Sequence, residues 1–395
     1  MLWRNVTVTV AYCCWLAALL SLPWDAHALE VGGTGLNIEV GATIIGQRTN
    51  KQTAGIDKDA TASVDVLADM PVGPGVLHMY VEGATSADIS ASSIVGGANS
   101  DAGTAANRNG RGRVQLSELY YYIGDEETNF LQAGLIDPTR FGDISLIAND
   151  ETSQFLADPL VNNPAIAFPD YTLGAALHHA PVAETHLMLV VTGATGLGDD
   201  PEASYAELFD IGSTSEGLND GVFVLSEVFF EHKPVGSFWR LGGWYSSAEL
   251  VRFDGMGTSQ GVVGIYGNVD SEFAGVNWAA RAGWNNGAEA LDTAGFASIA
   301  AERAVFGGTL GLGLARQWLS RDFRQTLVSD AGGDVFMAEA YYRWDVTDWL
   351  SISPDIQYWR NPNGLSASAS HVAGNVWVYG LRAQISAIPE RKHKE

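Results

Sequence analysis

Glu118, Tyr120 and Tyr122 stand at every second position of one stretch, and Glu339, Tyr341 and Arg343 repeat that spacing in another. Arg240, Trp244 and Arg281 fall on the polar side of further stretches in which polar and apolar residues alternate. A carboxylate, a guanidinium and an aromatic ring on one face of a strand can hydrogen-bond a polar solute and stack on its apolar side. They do not make a reaction centre. The chain has no Gly-x-Ser-x-Gly elbow and no phosphate-binding glycine loop, and "GTLGLGLAR" at 308–316 reads as a strand with Leu310, Leu312 and Leu314 turned outward. His178 and His179 lack a third ligand at metal spacing and read as wall histidines. No catalytic, metal or cofactor-binding residue is assigned, although a Ser, a His and a polar orienter on adjacent strands at a rim would leave no sequence signature.

The elements that must hold these residues are strands. In "AEAYYRWDVTDWLSISPDIQYWRNPNG", residues 338 to 364, Ala338, Ala340, Tyr342, Trp344 and Val346 share one side, and Glu339, Tyr341, Arg343 and Asp345 the other. After a turn at Thr347 and Asp348, Leu350, Ile352, Ile356 and Tyr358 alternate with Ser351, Ser353, Asp355 and Gln357. The same alternation recurs at 37–44, 77–82, 118–123, 276–285 and 377–385. A soluble sandwich would bury the apolar side in a core. A membrane barrel turns it to lipid and rings it with Trp and Tyr.

Composition favours the barrel: 46% of residues are apolar and only 17% charged, with 45 glycines and 12 tryptophans. Residues 1–28 read as a secretory signal peptide, with Arg4 before an apolar run and "AHA" at 26–28 as the cleavage site; an uncleaved membrane anchor is the alternative. Both cysteines, Cys13 and Cys14, lie within it. Residues 29–395 contain no run of about eighteen apolar residues, so a membrane-crossing chain must cross as a closed barrel. The expected fold is all-β: one transmembrane antiparallel β-barrel domain over 29–395, a length that holds about 16 to 18 strands. The formal charge of -24, from 46 acidic and 22 basic residues, argues against nucleic acid as a partner. In a lumen the excess would favour cations.

Two loops stand out. The Ser-, Gly- and Asn-rich stretch 86–110 reads as a flexible outer loop. Residues 143–170 carry Phe155, Leu156, Leu160, Ile166 and Phe168 without two-residue alternation, too apolar for a free loop. This segment is expected to fold inward as a constriction, with a helical turn near 152–157 and Asn149, Asp150, Glu151, Gln154 and Phe155 narrowing the lumen. An outer loop packed over the rim is the alternative.

At this segment the chain resembles the OprB family of carbohydrate-selective porins, on "LQAGLIDPTRFGDISLIANDETSQFLADPLVNNPAIAFPD". "GSFWRLGGWY" at 236–245, "RAGWNN" at 281–286, "VTDWLSISPDIQYWRNPNG" at 346–364 and "YGLRAQI" at 379–385 are similar to further blocks of that family, and the resemblance weakens before residue 115. It implies a bacterial outer-membrane barrel, in contact with lipid, that passes monosaccharides and small oligosaccharides by diffusion as a monomer or homotrimer. It also implies that the tryptophans of 338–364 belong to the lipid-facing belt. The chain departs from such barrels in running on past its last strand as "SAIPERKHKE". On this reading the residues singled out above are pore-lining candidates for sugar contact, and replacing Arg240, Arg281 and Arg343 together should change sugar permeation. Interstrand ion pairs, such as Arg343 with Glu339, are the structural alternative. A less selective or cation-preferring channel or a scaffold barrel is the other reading of the same fold.

Overall fold

The computed structural model describes residues 35–53, 56–85, 95, 97–101, 112–125, 128–198, 205–209, 220–232, 236–326, 333–362 and 375–386. The expected signal peptide at 1–28 and the basic end at 387–395 lie outside them.

The strands follow in chain order: β1 (Asn37–Thr53), β2 (Ile56–Val72), β3 (Gly75–Ala84), β4 (Arg113–Asp125), β5 (Asn129–Ile136), β6 (Thr172–Val182), β7 (Thr185–Gly193), β8 (Val222–His232) and β9 (Ser237–Ser246). After a rim hairpin of β10 (Leu250–Val251) and β11 (Thr258–Ser259) come β12 (Val262–Phe273), β13 (Val276–Asn285), β14 (Thr293–Val305), β15 (Gly308–Leu319), β16 (Val335–Thr347), β17 (Leu350–Arg360) and β18 (Asn375–Ser386). Apart from the hairpin they form one closed barrel of sixteen antiparallel strands, sealed where β1 pairs with β18 from Gly41 opposite Ser386 to Thr49 opposite Val378. Closure leaves no strand edge unpaired, the condition for a sheet in lipid. No described helix is long and apolar enough to cross a membrane.

One rim carries short connections. Ala274 with Gly275 and Phe306 with Gly307 have positive φ at both central positions, the mirror-image turn whose twist matches a hairpin. Gly73, at φ 60° just ahead of Pro74, opens a third two-residue turn, with positive φ at its first central position only. The long connections gather at the opposite rim. The barrel strands run from 8 residues in β5 to 17 in β1 and β2. About ten residues cross a bilayer at the usual tilt, so β1 and β2 project past it on the long-loop side.

The alternation read from sequence sets the two faces. Leu177, Leu189, Trp239, Leu241, Trp278, Trp284, Leu312, Trp344, Trp377 and Leu381 are exposed on the outer wall. Thr43, Gln47, Ser117, Asn268, Ser353, Gln357 and Arg382 are enclosed within the lumen side. One tryptophan breaks the expected belt: Trp359 is fully buried, and its Nε1 donates to Gln357 Oε1 at 2.9 Å. It shares the odd-numbered side of Ser351 to Gln357 and therefore turns inward. The apolar core is likewise inside the barrel, where Phe155, Ala157 and Leu160 pack against Phe296, Ala315, Met337, Tyr341 and Trp359.

Candidate functional site

β5 stops early because Asp137 and Pro138 end its ladder. Pro138 has no N–H to donate, and the Asp137 carboxylate accepts from Thr139 N at 2.9 Å and Thr139 Oγ1 at 2.6 Å, closing a tight turn over Pro138–Arg140. The chain then enters the lumen as a tongue. Irregular backbone at membrane depth needs a partner for every N–H and C=O, and inward side chains of the wall provide them.

On the outgoing leg, Asp143 N donates to Glu227 of β8 at 2.9 Å, and Asn268 of β12 donates to Ile144 O at 3.0 Å. Asp270 accepts from Ser145 Oγ at 2.7 Å and Leu146 N at 3.1 Å. At the tip, Arg382 and Gln384 of β18 donate to Glu151 O at 2.7 Å and to Thr152 Oγ1 at 2.9 Å. On the return leg, Glu339 of β16 accepts from Leu156 N at 2.7 Å and Ala157 N at 2.9 Å. Arg281 of β13 then caps the carbonyls of Leu160 and Val161, and Asn285 donates to Ala165 O at 3.0 Å. Gly313 is the notch that admits this leg, since a Cβ there would lie 2.3 Å from Leu160 and 2.9 Å from Phe155.

The inward fold of 143–170 is thus as expected; one helical turn closes at its tip, where Gln154 N donates to Asp150 O at 2.8 Å, and the α-helix proper follows it. The helical turn α1 covers Asp158–Val161, with Pro159 in its first turn. Over 152–157 the amides of Leu156 and Ala157 are taken by Glu339 and cannot close a helix. The reading of 86–110 as an outer loop also needs correction. Most of it lies outside the described residues, but Val95, Ala98, Asn99 and Asp101 are buried within the barrel. Gln47 of β1 and Gln357 of β17 both donate to Ala98 O at 2.8 Å, and Ser63 of β2 donates to Asp101 at 3.0 Å. This second segment is stitched to the tongue through Ser100 N to Leu156 O and Asp158 N to Gly97 O, each 2.8 Å.

The candidates divide by task. Asn149, Asp150 and Gln154 brace the tip: Gln154 Oε1 accepts from Asn149 N at 2.9 Å, and Asp150 accepts from Thr152 N at 2.8 Å and from Ser153 Oγ. Phe155 is buried edge-on against Tyr341, whose hydroxyl donates to Glu302. Trp244 faces inward as expected but lies buried against Phe223. Arg240 sits between Glu227 at 3.6 Å and Asp270 at 3.3 Å. Arg281 is enclosed beneath the tongue, 3.8 Å from Asp143. Arg343 pairs with Asp345 at 2.9 Å, while Glu339, about 13 Å back along the same strand, holds the tongue. The three arginines therefore do not converge on one patch. His178 and His179 point to opposite faces of β6, His178 meeting His186 at 3.1 Å and His179 meeting Asn129 at 2.6 Å.

The tongue covers the wall from β8 round to β18, and the second segment covers β1 and the Thr61–Ser63 part of β2, while farther along β2 to β4 several inward groups stay accessible. Asp65, Asp69, Tyr80 and Tyr122 are partly accessible there, and Glu118 and Tyr120 lie beneath the surface. Facing the lumen from the tongue are half-buried Glu151 and Leu146, exposed at 53%. Sequence reasoning missed Arg140. Its side chain is 44% exposed, and its Nη1 donates to Glu118 at 2.6 Å and to Tyr120 Oη at 3.0 Å. The "DPTR" turn signal was its only trace in the sequence.

Burial, reinforced by Asp150, pushes the Glu151 carboxyl up from 4.5 to about 8, and burial with Asp65 nearby takes Asp101 up to about 7. Both values lie above those of an unfolded chain, so docking is fully favoured below pH 4 to 4.5 and loses that advantage as pH rises through about 7 to 8. The same titration adds negative charge to the pore. Cation preference, read from reversal potentials, is expected to climb between about pH 6 and 9, and Glu151→Gln should flatten the upper part of the climb.

Residues 75–386 match the family model described as carbohydrate-selective porin, OprB family. The chain belongs to the OprB family. The matched range includes β3 and so begins well before residue 115, where the resemblance of individual blocks faded. Among solved structures, the OprB-family barrel is similar to the high-pH structure of Pseudomonas putida OprB, with TM-score 0.67 and 13% identity over 89% of this chain and 94% of that one. The low-pH structure of the same protein gives TM-score 0.51 and 10% identity over 89% and 93%. At these identities the likeness shows the shared barrel fold. A protein of Aquifex aeolicus (strain VF5), described as uncharacterized, is 33% identical over 129 residues, a stretch spanning 32% of this chain and 40% of that relative's length.

Proposed function

We propose that this OprB-family porin lies in a bacterial outer membrane and lets monosaccharides and small oligosaccharides diffuse toward the periplasm. The observation that supports this beyond family membership is the asymmetric lumen. Charged and aromatic wall groups of β2 to β4 face a tongue edge that presents both Leu146 and Glu151. A pyranose offers hydroxyls and a C–H face together, and this lining meets both. The exposed band of Trp, Tyr and Leu is read as the lipid contact, and 1–28 as the export signal that the address requires.

Ion current through the protein in a planar bilayer is expected to fall saturably as glucose or a disaccharide is added at millimolar concentration. A second reading, a cation-preferring channel indifferent to sugars, draws on the acidic groups Asp65, Glu82, Asp101 and Glu151 around the pore and on the net charge of -24. Steady cation-selective current at every sugar concentration would favour that alternative.

A further inference from the structure

The outer wall carries a cationic patch at the rim of the long loops. On β15 the outward series Leu310, Leu312, Leu314 continues as Arg316, and on β17 the series Ile352, Pro354, Ile356, Tyr358 ends on Arg360. The two arginines stand level, because Phe336 of β16 pairs with Arg316 on one side and with Arg360 on the other. Two strand spacings set their Cα atoms about 10 Å apart. The Tyr358 and Trp377 rings pack 5.0 Å apart on the membrane side of Arg360, and the Arg316 guanidinium lies 5.1 Å from the centre of the Trp318 ring. Apolar wall, aromatic rings and then cations is the order in which hydrocarbon gives way to headgroups.

A short helix, α2 (Arg321–Thr326), brings Arg324 to the same place. Asp334 accepts from Arg316 Nη2 at 2.7 Å and also from Arg324. Its side chain is 18% exposed, against 53% for Arg316 and 38% for Arg324. The carboxylate therefore lies beneath, holding together two guanidiniums that would otherwise repel, and the surface shows the cations. Arg360 is exposed with no carboxylate in ion-pair range among the described residues, and the sequence 361–374 that follows it has no acidic residue. Three arginines against one aspartate run counter to a chain of net charge -24. Arg316 and Arg360 point away from the lumen, so they neither meet a solute in the pore nor fasten the tongue.

A phosphate monoester carries close to two charges and three acceptor oxygens, and planar guanidinium forks match it bidentately. A phospholipid diester offers one charge and two free oxygens, which uses less of a three-arginine patch. We infer that Arg316, Arg324 and Arg360 form a site on the outside of the barrel for the phosphate monoester of an outer-leaflet glycolipid, with its acyl chains against Leu312, Leu314 and Ile356. This rests on the outer-membrane reading, and the experiment separates the two. Native mass spectrometry in detergent counts diphosphorylated lipid A on the wild type, on Arg316→Gln with Arg360→Gln, on Arg360→Gln alone, and on Arg303→Gln. Arg303 is an exposed outward arginine toward the short-turn rim, opposite Leu310.

The double variant is expected to raise the lipid A concentration for half occupancy at least roughly ten-fold, the loss of about one charge-assisted hydrogen bond or more. Arg360→Gln alone should raise it several-fold and Arg303→Gln should leave it as in the wild type. Dephosphorylated lipid A and phosphatidylglycerol should bind the wild type at least roughly ten-fold more weakly. Undiminished binding in the double variant, an equal loss in Arg303→Gln, or equal retention of either control lipid would overturn the site. A wild type that conducts in a planar bilayer but retains no lipid A would overturn the site and leave the porin standing. A wild type that enters no bilayer would overturn the membrane reading and the site with it. Heat-stable barrel migration, equal for all the proteins, assigns a loss of lipid to the patch. If the double variant fails to fold, Arg360→Gln decides: unchanged occupancy rejects the site and weakened occupancy supports it.

Discussion

Glu339→Ala is expected to release the tongue from the wall, so that conductance rises and sugar block disappears while the barrel stays folded. Glu339 accepts from the amides of Leu156 and Ala157 at 2.7 and 2.9 Å on a side chain only 3% exposed. Two hydrogen bonds to a charged acceptor contribute roughly 1.5–3 kcal/mol each, so docking of the return leg weakens by about 3–6 kcal/mol. The wall is held independently, because the ladder that places Glu339 opposite Gly313 and Gln357 is made by backbone groups. Glu339→Gln keeps the volume but leaves one carbonyl oxygen to serve two amides, and should fall between the two. Single-channel conductance decides the matter, and a value equal to wild type in Glu339→Ala would show that the tip contacts of Arg382 and Gln384 suffice.

The second large effect is on stability. Arg281→Leu removes the donor to the Leu160 and Val161 carbonyls and strips Asp143 of a guanidinium 3.8 Å away, with both partners almost fully enclosed. Burial already pushes the Asp143 carboxyl up to about 6 against the opposing pull of Arg281. Breaking a buried pair from one side costs about 3–5 kcal/mol, since a charge is left without compensation. A lowered unfolding midpoint in detergent is therefore expected. Asp143→Asn in the same chain should restore part of it, because an amide needs no counter-charge. A double variant no more stable than Arg281→Leu would place the whole loss in the unmet carbonyls.

The barrel was legible in the sequence because lipid imposes a strict rule: every second residue of a strand must be apolar. β13 and β18 show it residue by residue, and even Trp359 obeys the parity of its neighbours although its chemistry suggested the outer belt. The inward course of 143–170 was readable from apolar content without alternation. Its path was not, because it is fixed by acceptors such as Glu339, which lies 183 residues from Leu156. The buried segment at 95–101 escaped for a related reason. Its Gly, Asn and Ser composition is that of a solvated loop, and partners distant in sequence, such as Gln47, Ser63 and Gln357, reveal that it is enclosed. Several candidates chosen as solute contacts proved to be fasteners of backbone, since an inward polar residue serves either end and alternation cannot tell them apart.

The anchoring of the tongue also dictates an order of assembly. It emerges between β5 and β6, yet its tip and return leg are fastened to β13, β16 and β18, and the segment joined to it bridges β1 and β17 through one carbonyl at Ala98. The full set of fastenings exists only once the last hairpin has arrived and met the first strand. Such contacts, distant in sequence, form late because their loops must close first. Docking of the tongue is therefore the closing event of biogenesis, and an unfinished barrel carries an unnarrowed lumen. Its burial from protease would serve as a signal that the cylinder is complete.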